Sequence, residues 1–490
     1  MQNGAPLYNA MLEFKKKSIL PFDVPGHKRG RGVPELQNFL GKDAIEFDIN
    51  SMPDLDNLNY PNGVIKEAQE LMAKAFDADH AFFIVNGTTL AVHSMILSVC
   101  SPGDKILLPR NVHKSVINAL VLCDAMPVYM QSEISCELGF TTAITLETVK
   151  NTIEQNPDAK AILLINPTYY GVCCELEEIT SYAHSKGLIV IVDEAHGAHF
   201  NFNKALPKSA MACGADMSAV SIHKTGGALT QASAVLLKED RITAEHVQSV
   251  LNIFHTTSAS YLLMTSLDIA RRNLAINGEE MLDEIIKVTL RAKEEINKFD
   301  GLYCYGKEIV GTPGIWDLDE TKLGINVSQL GLTGYEVYDI LLYDYNIQME
   351  LADTYNVLAI VSLGDNDSSL KQLTDALKDI ALTKKRDDAI IQSDRPLKNP
   401  QVRVTPRAAF YSKQHLIPIK EAAGCISAES IMVYPPGIPI IAPGEEFTEE
   451  MIEHIEFLKT QHTKLTDMTD STLERVLIIE NSCKNGKYNK

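Results

Sequence analysis

Two apolar runs end in residues able to do chemistry. The first, LIVIVDEAHGAH (188–199), leads into Asp193, Glu194, Ala195 and His196; the second precedes SIHKTGGALTQAS (221–233), which sets His223 and Lys224 ahead of two glycines. In nucleic-acid motors an apolar strand ending in D-E-A-H holds magnesium. Such a motor also needs a loop of the form G-x-x-x-x-G-K-[ST] to cradle phosphates. Gly41-Lys42 has Leu36 where the first glycine belongs and Asp43 behind it, and Gly486-Lys487 has Asn481 in that place. A net charge of -19 would also repel a phosphate backbone. No metal and no nucleic acid are therefore expected. A carboxylate and a lysine facing one crevice instead suit pyridoxal phosphate. The aldehyde of that cofactor forms a Schiff base with a lysine, and its pyridine nitrogen stays protonated beside an acid. The protonated ring is then an electron sink for a carbanion at the α-carbon of an amino acid.

These residues need a frame. Between about 80 and 240, short β-rich runs alternate with helical stretches: AFFIV (81–85), KILLP (105–109), PVYM (127–130), AILLI (161–165), LIVIV (188–192), MSAVSI (217–222) and ASAVLL (232–237). Most are continuous rather than alternating, as expected of strands buried on both faces. Amphipathic segments such as LETVKNTIEQ and LEEITSYAHSKG lie between them. The pattern predicts an α/β fold with a mostly parallel, doubly wound sheet, whose ligands bind beyond the carboxyl ends of the strands.

Other candidate residues stand at those ends. Gly87-Thr88-Thr89 follows the first run and opens a helical stretch, so backbone N–H groups and hydroxyls there would hold a phosphate. Ser221 offers a further hydroxyl, and His113 in RNVHKS (110–115) is placed to stack on a planar ring.

Composition bounds the rest. The 490 residues suffice for two or three domains, and 45% hydrophobic with 22% charged residues is the balance of an ordinary soluble globular protein. No apolar run approaches the length of about 18 residues that spans a bilayer. MQNGAPLYNAMLEFKKK lacks the charge order of a secretory signal. The nine cysteines form no C-x-x-C pair and read as reduced thiols of a cytoplasmic protein. The acidic surface favours cationic small molecules. The expected division is an N-terminal segment (1–60), a cofactor-binding large domain with its linking helix (61–300), a small α/β domain (301–390) and a C-terminal domain (391–490). The polar stretch KKRDDAIIQSDRPLKNPQ marks the last boundary.

SIHKTGGALTQAS resembles the lysine signature of the ornithine/lysine/arginine decarboxylases. PGHKRG (25–30), FFIVNGTT (82–89), RNVHKS, NPTYYG (166–171), VDEAHGAH (192–199), HTTSASY (255–261), TPRAAFY (405–411) and VYPPGIPIIAPGE (433–445) look like further blocks of that family, in family order. The chain is similar to the shorter members, of the biosynthetic arginine decarboxylase type. The N-terminal wing that assembles the larger members is not expected.

The resemblance implies the aminotransferase-like fold type I, a seven-stranded sheet in the large domain and smaller C-terminal α/β domains. It makes Lys224 the Schiff-base lysine and pairs Asp193 with the pyridine nitrogen. Ala195 would pack beneath the ring and His113 above it. Thr88, Thr89, Ser221 and His223 would bind or border the phosphate. Thr168 and His196 would line the ring edge and the substrate carboxylate side. Thr256 and Thr257 would reach the phosphate of a neighbouring subunit, which implies a homodimer with active sites at its interface, alone or within a higher oligomer. The proton returning to the α-carbon would come from Lys224 or His223.

The implied activity is decarboxylation of a basic amino acid: arginine to agmatine in polyamine biosynthesis, or lysine to cadaverine, or ornithine. Candidate acids for the distal substrate charge are Asp54, Asp56, Glu421, Glu429 and Glu445. Three competing readings remain at this point: an aminotransferase or lyase, with Arg403 or Arg407 holding the α-carboxylate; a cofactor-bound regulator without turnover; and the D-E-A-H motor.

Overall fold

In the computed structural model, which describes residues 2–135, 137–387, 398–433, 437–460 and 464–483, each of the seven apolar runs forms a strand. In chain order, and including the helices that matter here, the elements are β1 (His80–Ile84), α1 (Gly87–Val99), β2 (Lys105–Pro109), α2 (Lys114–Cys123), β3 (Met126–Met130), β4 (Ala159–Ile165), β5 (Ile189–Asp193), β6 (Met217–Val220), β7 (Ser233–Leu237) and α3 (Tyr261–Ile296). The two amphipathic segments are helices Leu146–Gln155 and Leu176–Ser185. Thr145 caps the first of them, its Oγ1 accepting the amide of Thr148 at 3.2 Å.

The strands join in the order β1-β7-β6-β5-β4-β2-β3. β2 pairs parallel with both β3 and β4. β7 runs antiparallel to both of its neighbours, β1 and β6. The mostly parallel α/β sheet expected from the continuous apolar runs is thus present, with one reversed strand that those runs did not announce. Reversal carries Ser233, the first residue of β7, to the carboxyl end of β1, where it pairs with Ile84.

Contact density divides the chain into two compact units, 1–98 with 192–283 and 99–191 with 284–490. In the first, α3 begins with buried Tyr261 and carries a buried ion pair, Arg271 with Asp268, at 2.5 Å. Asp268 also accepts the amide of Leu7, and Arg271 donates to the carbonyls of Gln2 and Gly4. These bonds pin the N-terminal helix Pro6–Lys16.

In the second unit an antiparallel four-stranded sheet is built from Tyr303–Cys304, Lys322–Asn326, Asn356–Ile360 and Leu351–Ala352. Leu323, Ile325, Val357, Leu341 and Ile380 fill its core. A separate cluster around Ile417, Ile431, Phe447, Ile455 and Val476 forms the C-terminal core.

That C-terminal core corrects one expectation. Cys425 and Cys483 form a disulfide rather than a pair of free thiols. The backbone brings them together, since the amide of Ile479 bonds the carbonyl of Ile426. The other described cysteines are buried and outside this disulfide, so none of them is a surface thiol. Most of the polar boundary stretch, and Tyr434-Pro435-Pro436 of the C-terminal block, lie outside the described residues.

Candidate active site

β5 is an apolar strand whose last residue turns a carboxylate into the interior. Asp193 is only 7% exposed, and burial raises its pKa above the usual carboxylate range. The charge of Lys224 and the amide of Ala195, which donates to Oδ1 at 3.2 Å, pull it back down. Three residues beyond Asp193, His196 comes within 2.9 Å of Lys224 Nζ. Glu194 takes no part in this contact. Its carboxylate accepts the amide of Ala210 at 2.8 Å and the hydroxyl of Ser218 at 2.7 Å, and burial pushes its pKa up to about 8. The acids of D-E-A-H thus do separate jobs. Residues 191–194 and 196–200 are buried, whereas Ala195 between them stays partly open, as a residue packing beneath a planar ring would be.

Lys224 sits on the short helix Ile222–Thr225, which follows β6 directly. Its Nζ lies 2.9 Å from Nε2 of the buried His196. His223 is oriented by the carbonyl of Ala232, 3.0 Å from its Nδ1. That carbonyl also accepts the backbone amide of His223.

A hydroxyl cluster stands at the start of α1. Thr88 Oγ1 bonds Ser221 Oγ and, at 2.7 Å, Ser233 Oγ. Gly87 adopts φ +75°, a left-handed conformation that a side chain would strain, and a Cβ placed there would meet nothing within 4 Å. Open space and clustered hydroxyls at a helix start fit a phosphate. With the Asp193 and Lys224 pair, they fit pyridoxal phosphate. Thr89 is exposed beside them. Ser233 was missed in the sequence because it opens a strand. The hydroxyl-rich spacing of Ser221 and Ser233 around the lysine was the available signal.

The remaining candidates fall as follows. His113 is the N-cap of α2, its Nδ1 accepting the amide of Ser115 at 3.2 Å, which fixes the ring. Thr168 opens a tight turn and lines a small cavity with Asn111, Leu164 and Cys174. Thr256 bonds Ser258, and Thr257 is exposed.

Three of the five acids considered for the substrate are consumed by structure. Asp56 accepts the amides of Asn57, Asn62, Gly63 and Ile65. Glu429 accepts those of Thr469 and Leu477. Glu445 forms a buried two-pronged pair with Arg110, at 2.5 and 3.1 Å. Asp54 is an exposed partner of Lys17, and Glu421 is partly exposed. Arg403 and Arg407 are likewise engaged, with Glu446 and with the carbonyl of Leu122.

Comparison with known proteins adds the lineage. The family description "Orn/Lys/Arg decarboxylase, major domain" matches residues 5–369, and its C-terminal domain matches residues 390–467. The chain is 44% identical to an arginine decarboxylase of Bacillus subtilis (strain 168) over 482 residues, 98% of each chain. It is 44% identical to an arginine decarboxylase of Bacillus anthracis over 483 residues, again 98% of each. Among solved structures, the Francisella novicida lysine decarboxylase LdcF superposes with a TM-score of 0.85 at 22% identity, covering 97% of this chain and 81% of that one.

Proposed function

The chain belongs to the Orn/Lys/Arg decarboxylase family, and we propose that it removes the α-carboxyl group of free arginine as carbon dioxide, yielding agmatine for polyamine synthesis. Its cofactor is pyridoxal phosphate. The observation that carries the reading is the Lys224 amine, held 2.9 Å from the buried His196 three residues after the buried carboxylate of Asp193. Support for arginine is the 44% identity to arginine decarboxylases over 98% of each chain.

Bound at this site, pyridoxal phosphate supplies a sink for the electron pair left on the α-carbon as carbon dioxide departs. Lys224 would hold the cofactor through Nζ and Asp193 would pair with its ring nitrogen. Burial of Asp193 would strengthen that contact by excluding water. Thr88, Thr89, Ser221 and His223 would hold or border the phosphate, with Ser233 beside them. Ala195 and His113 would flank the ring. Thr168 and His196 would orient the substrate carboxylate, and Lys224 or His223 would deliver the proton to the α-carbon. His196, 2.9 Å from the amine, would hold Lys224 Nζ for that delivery.

The same proposal includes a homodimer, with Thr256 and Thr257 reaching the partner's site, and a cytoplasmic location where free arginine is available. It keeps the division into segments 1–60, 61–300, 301–390 and 391–490, which limited proteolysis tests. Among the described residues no helix is long and apolar enough to cross a membrane.

The deciding experiment supplies the holoenzyme with arginine, lysine or ornithine and measures carbon dioxide and keto acid. Carbon dioxide from arginine with stoichiometric agmatine is expected. A preference for lysine or ornithine would overturn the substrate, and keto acid without carbon dioxide would overturn the reaction.

A further inference from the structure

The turn that carries Thr168 is clamped from outside. Within it, the amide of Thr168 bonds the carbonyl of Val172 at 2.9 Å, Thr168 Oγ1 accepts the amide of Val172 at 3.2 Å, and the amide of Gly171 bonds the carbonyl of Thr168 at 3.0 Å. Residues 316–319 grip the same turn. Val172 and Cys173 pair antiparallel with Leu318 and Asp317, and the amide of Asp319 bonds the carbonyl of Gly171 at 2.9 Å.

Behind the turn lies Lys322, with no exposed surface. Among the described residues its Nζ makes no hydrogen bond, and it stands 3.8 Å from Oδ2 of the buried Asp319. A buried ammonium without an acceptor is costly, which makes its presence informative. The side chain touches the turn directly. Gly171 has φ +83°, and a Cβ there would come within 2.8 Å of Lys322 Cγ and 3.2 Å of the Asp319 carbonyl. Only glycine lets the lysine stem close on this backbone.

We infer that Lys322 is a positioning residue for the decarboxylation. Its stem braces Gly171, its charge balances Asp319 in the segment that grips the turn, and the turn thereby fixes the Thr168 hydroxyl. The inference rests on the reading of Thr168 as a residue of the active site. It assigns Lys322 no contact with substrate or cofactor.

The test compares Lys322→Met, Thr168→Val and the double variant as holoenzymes. The readouts are kcat, KM, the absorption band of the bound cofactor and the melting temperature. Lys322→Met and Thr168→Val are expected to lower kcat at least tenfold with KM nearly constant and to shift the cofactor band alike. The double variant should be no slower than Thr168→Val alone. Lys322→Gln, which loses the charge but keeps a polar end facing Asp319, should lose less rate than Lys322→Met. If Lys322→Met fails to fold, Lys322→Gln takes its place, and its smaller effect must vanish in the Thr168→Val background. Multiplying losses, or a Lys322→Met enzyme with wild-type kcat beside a slow Thr168→Val enzyme, would overturn the inference alone. A Thr168→Val enzyme indistinguishable from wild type would remove the reading beneath it, and the inference with it.

Discussion

Nζ of Lys224 and Nε2 of His196 lie 2.9 Å apart, although they belong to the ends of two different strands. The imidazole is buried and therefore holds the amine in one orientation. Replacing His196 with Phe is expected to slow decarboxylation by about a hundredfold or more, the scale of a displaced proton-transfer group. Lys224→Ala should abolish turnover. Borohydride reduction followed by mass measurement of the intact protein then separates the roles. His196→Phe should still gain the mass of one cofactor and Lys224→Ala should gain none. An adduct on Lys224→Ala would refute the assignment of the tether.

Ser233 completes the hydroxyl cluster around Thr88. A hydrogen bond to a charged group is worth about 1.5–3 kcal/mol, and here it is shared among several donors. Ser233→Ala is expected to weaken cofactor binding by roughly fivefold to tenfold. Titration of apoenzyme with pyridoxal phosphate, followed by absorbance, reads the change. An unaltered dissociation constant would confine Ser233 to packing.

Glu194 predicts a pH dependence of stability. Its pKa is raised by burial to about 8, above that of the unfolded chain. The folded protein therefore binds the proton more tightly. Its contribution to stability is complete below the unfolded pKa of about 4.3 and is lost as pH rises towards 8. Each pH unit in that window costs up to about 1.4 kcal/mol for one such group. Glu194→Gln, with no proton to lose, should gain stability relative to wild type between about pH 5 and pH 8. Urea unfolding of apoenzyme at both values tests this, and a constant difference would mean that Glu194 titrates normally.

Breaking the buried pair of Arg110 and Glu445 should be severe. Glu445→Ala strands a guanidinium and should cost about 3–5 kcal/mol, while Arg110→Met with Glu445→Leu should recover much of the loss. Denaturant midpoints of the single and double variants decide. Equal losses in both would show that the charges are not coupled.

The sheet was legible because its strands are buried on both faces and read as unbroken apolar runs; Lys105–Pro109 appears in the structure with the bounds its run suggested. Strand direction was not legible. An antiparallel strand has the same local period as a parallel one, so Ser233 could not be recognised as a neighbour of Thr88. The Asp193 and Lys224 pair stood out because both residues interrupt apolar runs at their carboxyl ends. Long-range partners left no such mark. Glu445 looked available to a substrate because Arg110, 335 residues earlier, carries no local sign of needing it. The pairing of Cys425 with Cys483, 58 residues apart, was hidden for the same reason.

Because β7 doubles back, the loop from Lys224 to Ser233 begins at the amine proposed to tether the cofactor and ends at a hydroxyl bonded to Thr88. A single contiguous insert would therefore carry both proposed roles. Exchanging residues 221–233 between relatives would move them as one cassette, whereas lengthening the loop by a residue would pull one out of register with the other.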